Sequence, residues 1–491
     1  MDEPDWKGPL SEAFEQALAY LEGLPERAVG SRAGLEELRA ALGGPLPEQP
    51  VEAREVIAGL ARAVEPGLVA SSSGRFFGFV IGGAVPAALA ADWLTATWDQ
   101  NAGLHVAGPA AGVVEEVAGR WLAELLGLPA QVSVGFVTGG QMANFTALAA
   151  ARHEVLGRAG HDVEAAGLIG APPLRVLAGE GRHDTIDRAL RFLGLGTDAI
   201  VPVAQDDQGR MRPAALRQAL GGGDGPAIVC AQAGNVNTGA VDPLWEICEL
   251  AHQAGAWVHV DGAFGLWAAA SPRLRPLVTG MELADSWATD AHKWLNVPYD
   301  SGIVFCAHPE AHRAAMGVRA SYLVHAGAGE RDEMDFNPEF SRRARGFPVY
   351  TAIRALGRTG IAALVERSCA LARRFAARLA AEDGVEVLNE VALNQVLVRF
   401  RAADGDHDGH TRRVVERVRQ DGTCWMSGTT WKGQAAMRIS VSNWSTDEAD
   451  VDRSVATILR CTRQTPTTPR SDATDRSYAE ALTTERRRDL R

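Results

Sequence analysis

Residues 257–294 read WVHVDGAFGLWAAASPRLRPLVTGMELADSWATDAHKW. Two short, largely apolar runs, WVHV and SWAT, each end on a carboxylate, Asp261 and Asp290, and the second leads at once to His292 and Lys293. Short runs that stay apolar, instead of alternating with polar residues, are the pattern of strands covered on both faces. Lys293 stands out again in the composition, because only Lys7, Lys293 and Lys432 are lysines among the 49 basic residues. Arginine serves the chain everywhere else. A guanidinium, however, stays protonated and cannot form a Schiff base.

The same texture extends outward. Between about 110 and 310 the runs SVGFVTGG, RVLAGE, AIVPV, AIVCAQAG and GIVFCA alternate with helical patterns, which predicts a mainly parallel α/β domain. Upstream, LSEAFEQALAYLEGL and VEAREVIAGLARAVEPG carry apolar residues at helical spacing. Downstream, a long helical stretch from about 345 precedes the alternating patterns NQVLVRF and AMRISVS, which predict a smaller α+β domain. The expected organisation is a helical segment over 1–75, a large domain over 76–340, a small domain over 341–461 and a disordered polar tail over 462–491. Lys432 follows a Ser-Gly-Thr-Thr stretch that reads as loop.

A hydrophobic content of 46% with 22% charged residues is that of a globular protein with a large core. The net charge of −12 argues against nucleic acid as a partner, since phosphate binding needs concentrated positive charge. No apolar run approaches the roughly 20 residues that span a bilayer, so no membrane partner is expected. The acidic N-terminus MDEPDWKGPL lacks the apolar core of a signal peptide, and a cytoplasmic location is expected. Six cysteines without paired spacing indicate neither disulfides nor a zinc site, and no metal is expected.

Ligands of open α/β sheets collect at the carboxyl ends of the strands. There SVGFVTGGQMAN passes through Gly139 and Gly140 into a helix, a place where free backbone N–H groups favour a phosphate, or simply a tight turn. Asp261 is either a helix cap or the partner of a buried cation. Lys293 either pairs with Asp290 or is a Schiff-base lysine. Taken together, an aspartate for a pyridinium nitrogen and a lysine for an aldehyde are the pairing that pyridoxal phosphate requires.

The ordered motifs TGGQMAN (138–144), GRHDTIDRA (181–189), HVDGAF (259–264) and DAHKW (290–294) resemble the group II pyridoxal-phosphate-dependent amino acid decarboxylases. That resemblance covers about 70–460. It implies the type I aminotransferase fold, pyridoxal 5'-phosphate as cofactor, a small amino acid substrate, carboxy-lyase activity and a homodimer. By the same resemblance Lys293 binds the cofactor covalently, Asp261 pairs with its ring nitrogen, Ala263 lies beneath the ring and His183 stacks on the other face. Gly140, Gln141, Asp290 and His292 match positions around the phosphate and the lysine, and Asn235 occupies a place near the cofactor's hydroxyl.

Relatives protonate Cα with a tyrosine on a loop that corresponds to 322–346 here. Counting from Tyr322, the expected tyrosine falls at Phe336. Phenylalanine at that point accompanies an oxidative reaction that yields an aldehyde; otherwise Phe336 is a packing residue and Tyr322 or His325 supplies the proton. Decarboxylation to the amine is the first expectation and the aldehyde-forming reaction the alternative. A lyase or aminotransferase on the same frame is a further one, with Arg438 able to take a substrate carboxylate. Gly82, Gly83 and Gly103, with His105, suggest either a roomy substrate pocket or tight packing.

Overall fold

The computed structural model describes residues 5–318, 327 and 330–463. Seven strands, β1 (Ser133–Val137), β2 (Arg175–Gly179), β3 (Ile200–Val203), β4 (Ala227–Gln232), β5 (Trp257–Asp261), β6 (Ser286–Asp290) and β7 (Gly302–Cys306), form one sheet. Their order is β1-β7-β6-β5-β4-β2-β3, and β7 alone runs against its neighbours. The carboxyl ends of the other six therefore open on one edge.

Six helices lead up to and onto this sheet: α1 (Lys7–Gly23), α2 (Leu35–Leu42), α3 (Ala53–Val64), α4 (Pro86–Trp98), α5 (Pro109–Leu126) and α6 (Gly140–Arg158). Buried Leu148, Ala150 and Val155 of α6 share one core with Val176, Ile228 and Trp257. The intervening residues Leu177, Val229, Val258 and Val260 face the other way, into a core with Leu122 of α5 and Ile247. Because both faces are covered, β1, β4, β5, β6 and β7 are buried along their whole length. That is why their sequences do not alternate.

Four antiparallel strands make the second sheet: β8 (Val385–Val387), β9 (Gln395–Phe400), β10 (Ser427–Trp431) and β11 (Gln434–Ser440), in the order β10-β11-β9-β8. The stretch that reads as loop is thus a strand. Its hairpin turn is Lys432-Gly433, both with positive φ (48° and 80°), the geometry of a tight two-residue connection. β9 and β11 are also more deeply buried than alternation suggests, because Gln395 and Ser440 bond each other inside the molecule (2.6 Å).

The expected boundary at 341 falls just before a helix that both cores share. Gly346–Ala380 contributes Val349, Ala352 and Ile361 to the large core, then Phe375 and Leu379 to the small one. Gly357 bends it, at φ 60° and ψ 175°. Phe77, from far upstream, also lies in the small core. The last described helix, Glu448–Arg463, runs two residues into the segment expected as tail, and 464–491 lie outside the described residues. All six cysteines are buried with free thiols. Among the described residues no helix is long and apolar enough to cross a membrane.

Candidate active site

The carboxyl edge of the large sheet and the β10–β11 hairpin enclose a cavity of about 870 Å³. Lys293, Asp261, Ala263, His183, Gly140, Gln141 and Asp290 all line it. Neighbouring strands explain why: β5 and β6 pair with Asp261 opposite Ala288, so the two strands end side by side. Lys293 follows on the turn after β6.

Lys293 Nζ pairs with Asp290 Oδ2 at 2.7 Å, so the plainer of its two expected partners is present. It nonetheless faces the cavity. Asp290 is almost fully buried, and its other oxygen accepts the N–H of Gly140 at 2.5 Å and faces His292 Nε2 at 3.3 Å. Burial keeps the His292 imidazole below its ordinary pKa, and its Nδ1 accepts the N–H of Ser301 (3.1 Å). The neutral ring therefore presents Nε2–H to Asp290. His292 stacks on Tyr299 at 4.2 Å and stands behind Asp290.

Asp261 accepts the N–H of Ala263 on one oxygen (3.2 Å) and the amide of Asn144 on the other (3.2 Å). His183 caps the helix Asp184–Phe192: its Nδ1 accepts from the Thr185 N–H (3.3 Å) and faces the Thr185 hydroxyl (2.9 Å). That leaves Nε2 free. Gly140 begins α6, and a β-carbon there would stand 2.8 Å from Asp290 Oδ2, so only glycine permits this approach.

Other expected site residues lie elsewhere. Asn235 stands behind the wall, donating to Gly181 O (3.2 Å) and accepting from the N–H groups of Asn237 and Thr238. Phe336 does not line the cavity. Its ring is buried against His312 (5.4 Å), with the Arg331 guanidinium 4.1 Å from its centre. Tyr322 and His325 lie outside the described residues. The small residues serve packing: side chains at Gly82 and Gly103 would collide with the carbonyls of Lys293 and Phe340.

Several lining residues escaped the sequence reading. Asn144 and Thr185 hold Asp261 and His183, while Thr429, Trp431 and Lys432 come from the unrecognised hairpin. Arg438 on β11 also lines the cavity. Burial draws its guanidinium down to about 10, one N–H reaches Val236 O (3.3 Å), and Nε has no partner.

The residues present fit pyridoxal phosphate: a buried carboxylate for the ring nitrogen, a lysine on the cavity wall, and a glycine at the start of a 19-residue helix for the phosphate. Fold and site together define a pyridoxal-phosphate enzyme of the type I aminotransferase fold. Residues 36–403 match the pyridoxal-dependent decarboxylase conserved domain, and the chain belongs to that family of amino acid carboxy-lyases.

An aromatic-L-amino-acid decarboxylase from Bacillus atrophaeus is 27% identical over 443 residues, 88% of this chain and 90% of the relative. A 4-hydroxyphenylacetaldehyde synthase from Rhodiola rosea is 28% identical over 359 residues, covering 70% of this chain and 72% of its own. The solved structure of Oryza sativa TDC with PLP and tryptamine is 25% identical, with a TM-score of 0.87 over 94% of this chain and 98% of that one.

Proposed function

We propose that the chain converts an L-amino acid to its amine and CO2, with pyridoxal phosphate held covalently by Lys293. The reading is carried by one observation: Lys293, Asp261, Ala263, His183 and Gly140, from four separate segments, line one cavity. The cofactor, when bound, supplies an electron sink for the pair left behind as CO2 departs. The protein's part is to aim and neutralise. Asp261 keeps the ring nitrogen protonated, His183 covers the ring, and Gly140 and Gln141 receive the phosphate. Arg438 offers a guanidinium, without a carboxylate of its own in the cavity, to the incoming amino acid's carboxylate.

Amine rather than aldehyde is favoured because Phe336 packs away from the cavity, so its aromatic ring is no ground for a missing acid. Tyr322 is the proposed proton donor to Cα. The Rhodiola relative keeps the aldehyde-forming reaction as a second reading. It would consume O2 and water and release CO2, ammonia and peroxide together with the aldehyde.

We further propose a homodimer, since Trp6 and, on α1, Leu10, Phe14 and Leu18 are open to solvent.

Incubating the loaded enzyme with single amino acids, and assaying CO2, amine, aldehyde and peroxide, tests the reading. Amine equal to CO2 is expected; aldehyde and peroxide in equal amounts without amine would overturn it. Lys293→Ala should lose both turnover and the visible absorbance of the bound cofactor. Tyr322→Phe should cut amine formation about a hundredfold, as loss of a general acid does.

A further inference from the structure

Trp257, His259 and Asp261 alternate along β5 and so share the face that α6 covers. Two of the three are polar, on a strand buried along its whole length, where burial without partners is costly. They are joined by an unbroken file of hydrogen bonds. Trp257 Nε1–H donates to Ser286 Oγ (2.9 Å), and Ser286 Oγ meets His259 Nδ1 (3.0 Å). His259 Nε2 meets Asn144 Oδ1 (2.9 Å), and Asn144 Nδ2 donates to Asp261 Oδ2 (3.2 Å).

The direction of every proton in this file is fixed. Asn144 Oδ1 can only accept, so His259 Nε2 carries hydrogen. Burial lowers the His259 pKa to about 4, so the ring is neutral and Nδ1 must accept the Ser286 hydroxyl. The second amide hydrogen of Asn144 goes to Thr185 Oγ1 (3.1 Å), whose own hydroxyl serves His183 Nδ1. Asn144 thus ties Asp261 to the cap that holds His183.

We propose that His259, acting through Asn144, is a positioning residue that keeps Asp261 aimed at the cofactor's ring nitrogen. Donors aligned in one sense strengthen one another in a low-dielectric interior. Here all of them end on the carboxylate that must balance a pyridinium. The alternative is a histidine that merely satisfies its surroundings. The proposal rests on the cofactor reading above, and the test separates the two.

Pyridoxal phosphate labelled with 15N in the ring is bound to wild type, Asp261→Asn, His259→Phe and His259→Gln. The nitrogen's shift is followed against pH, and the cofactor's dissociation constant is measured by its absorbance. If Asp261→Asn leaves both unchanged, the cofactor reading itself fails. If it shifts them, His259→Phe should lower the nitrogen's pKa by about one unit and weaken binding about tenfold, the worth of one buried hydrogen bond. His259→Gln, which keeps a donor toward Asn144, should recover most of both. Equal behaviour of wild type and His259→Phe would overturn the proposal, as would equal impairment of the phenylalanine and glutamine variants. Should His259→Phe fail to fold, Ser286→Ala replaces it: a lowered nitrogen pKa at unchanged melting temperature supports the proposal, and an unchanged pKa refutes it.

Discussion

At the foot of β6, far along the strand from Lys293, Asp285 accepts from His252 (3.0 Å), His308 (2.8 Å) and the N–H of Val258 (2.7 Å). Burial alone would raise its pKa, but these partners hold it down at about 2, against 3.8 for a free side chain. Its stabilising effect, on the order of 2 kcal/mol, is present above pH 3.8 and lost as pH falls through about 2. His252 is shifted the other way: the hydrogen bond to Asp285 raises it above 6.5. Its contribution is full below pH 6.5 and fades as pH rises through that raised value. Both are complete only between about pH 4 and 6.5. Urea unfolding should show Asp285→Asn costing more stability at pH 5 than at pH 8.5; an equal cost at both would refute the coupling. Single residues differ in how plainly they announce themselves. Lys293 was legible because the chain avoids lysine, and Asp261 because a carboxylate ends an apolar strand. Asn144 was not, since its partners stand 115 and 117 residues away and nothing in MANFTALAA marks it.

Elements follow the same logic. All seven strands of the large sheet could be read from sequence, five of them because burial on two faces favours a largely apolar run. The reversal of β7 could not, since direction leaves no trace in such a run. β10 was missed because SGTTW is polar and only the Lys432-Gly433 turn betrays a hairpin. The long helix Gly346–Ala380 was legible, but its bend was not. Gly357, at φ 60° and ψ 175°, sits where a β-carbon is strained. Gly357→Ala should therefore cost about 1–3 kcal/mol in denaturant unfolding, with little change in cofactor affinity. A variant as stable as the parent would mean that the bend relaxes freely.

At the scale of the whole molecule, the described residues leave apolar side chains of α1 open to solvent. Phe14 is 54% exposed on α1, which packs against α3, and Trp6, just before that helix, is 70% exposed. Sedimentation should give about twice the 52.2 kDa of one chain, and a stable pair would bury some 1,200–2,000 Å² in all. Phe14→Glu combined with Leu18→Glu should shift the equilibrium toward single chains; a parent that sediments as one chain at micromolar concentration would end the idea. The helices were visible in the sequence, but what covers them was not, because an apolar stripe names no partner.

Phe77 in the small core has a consequence for how the protein is made. That core cannot close until residues some 300 positions later leave the ribosome, since Phe375, Val398 and Ile458 are its other walls. β11, which brings Arg438 to the cavity, comes after every other element that lines it. Until β11 is made, the chamber around Lys293 and Asp261 lacks the wall that carries Arg438.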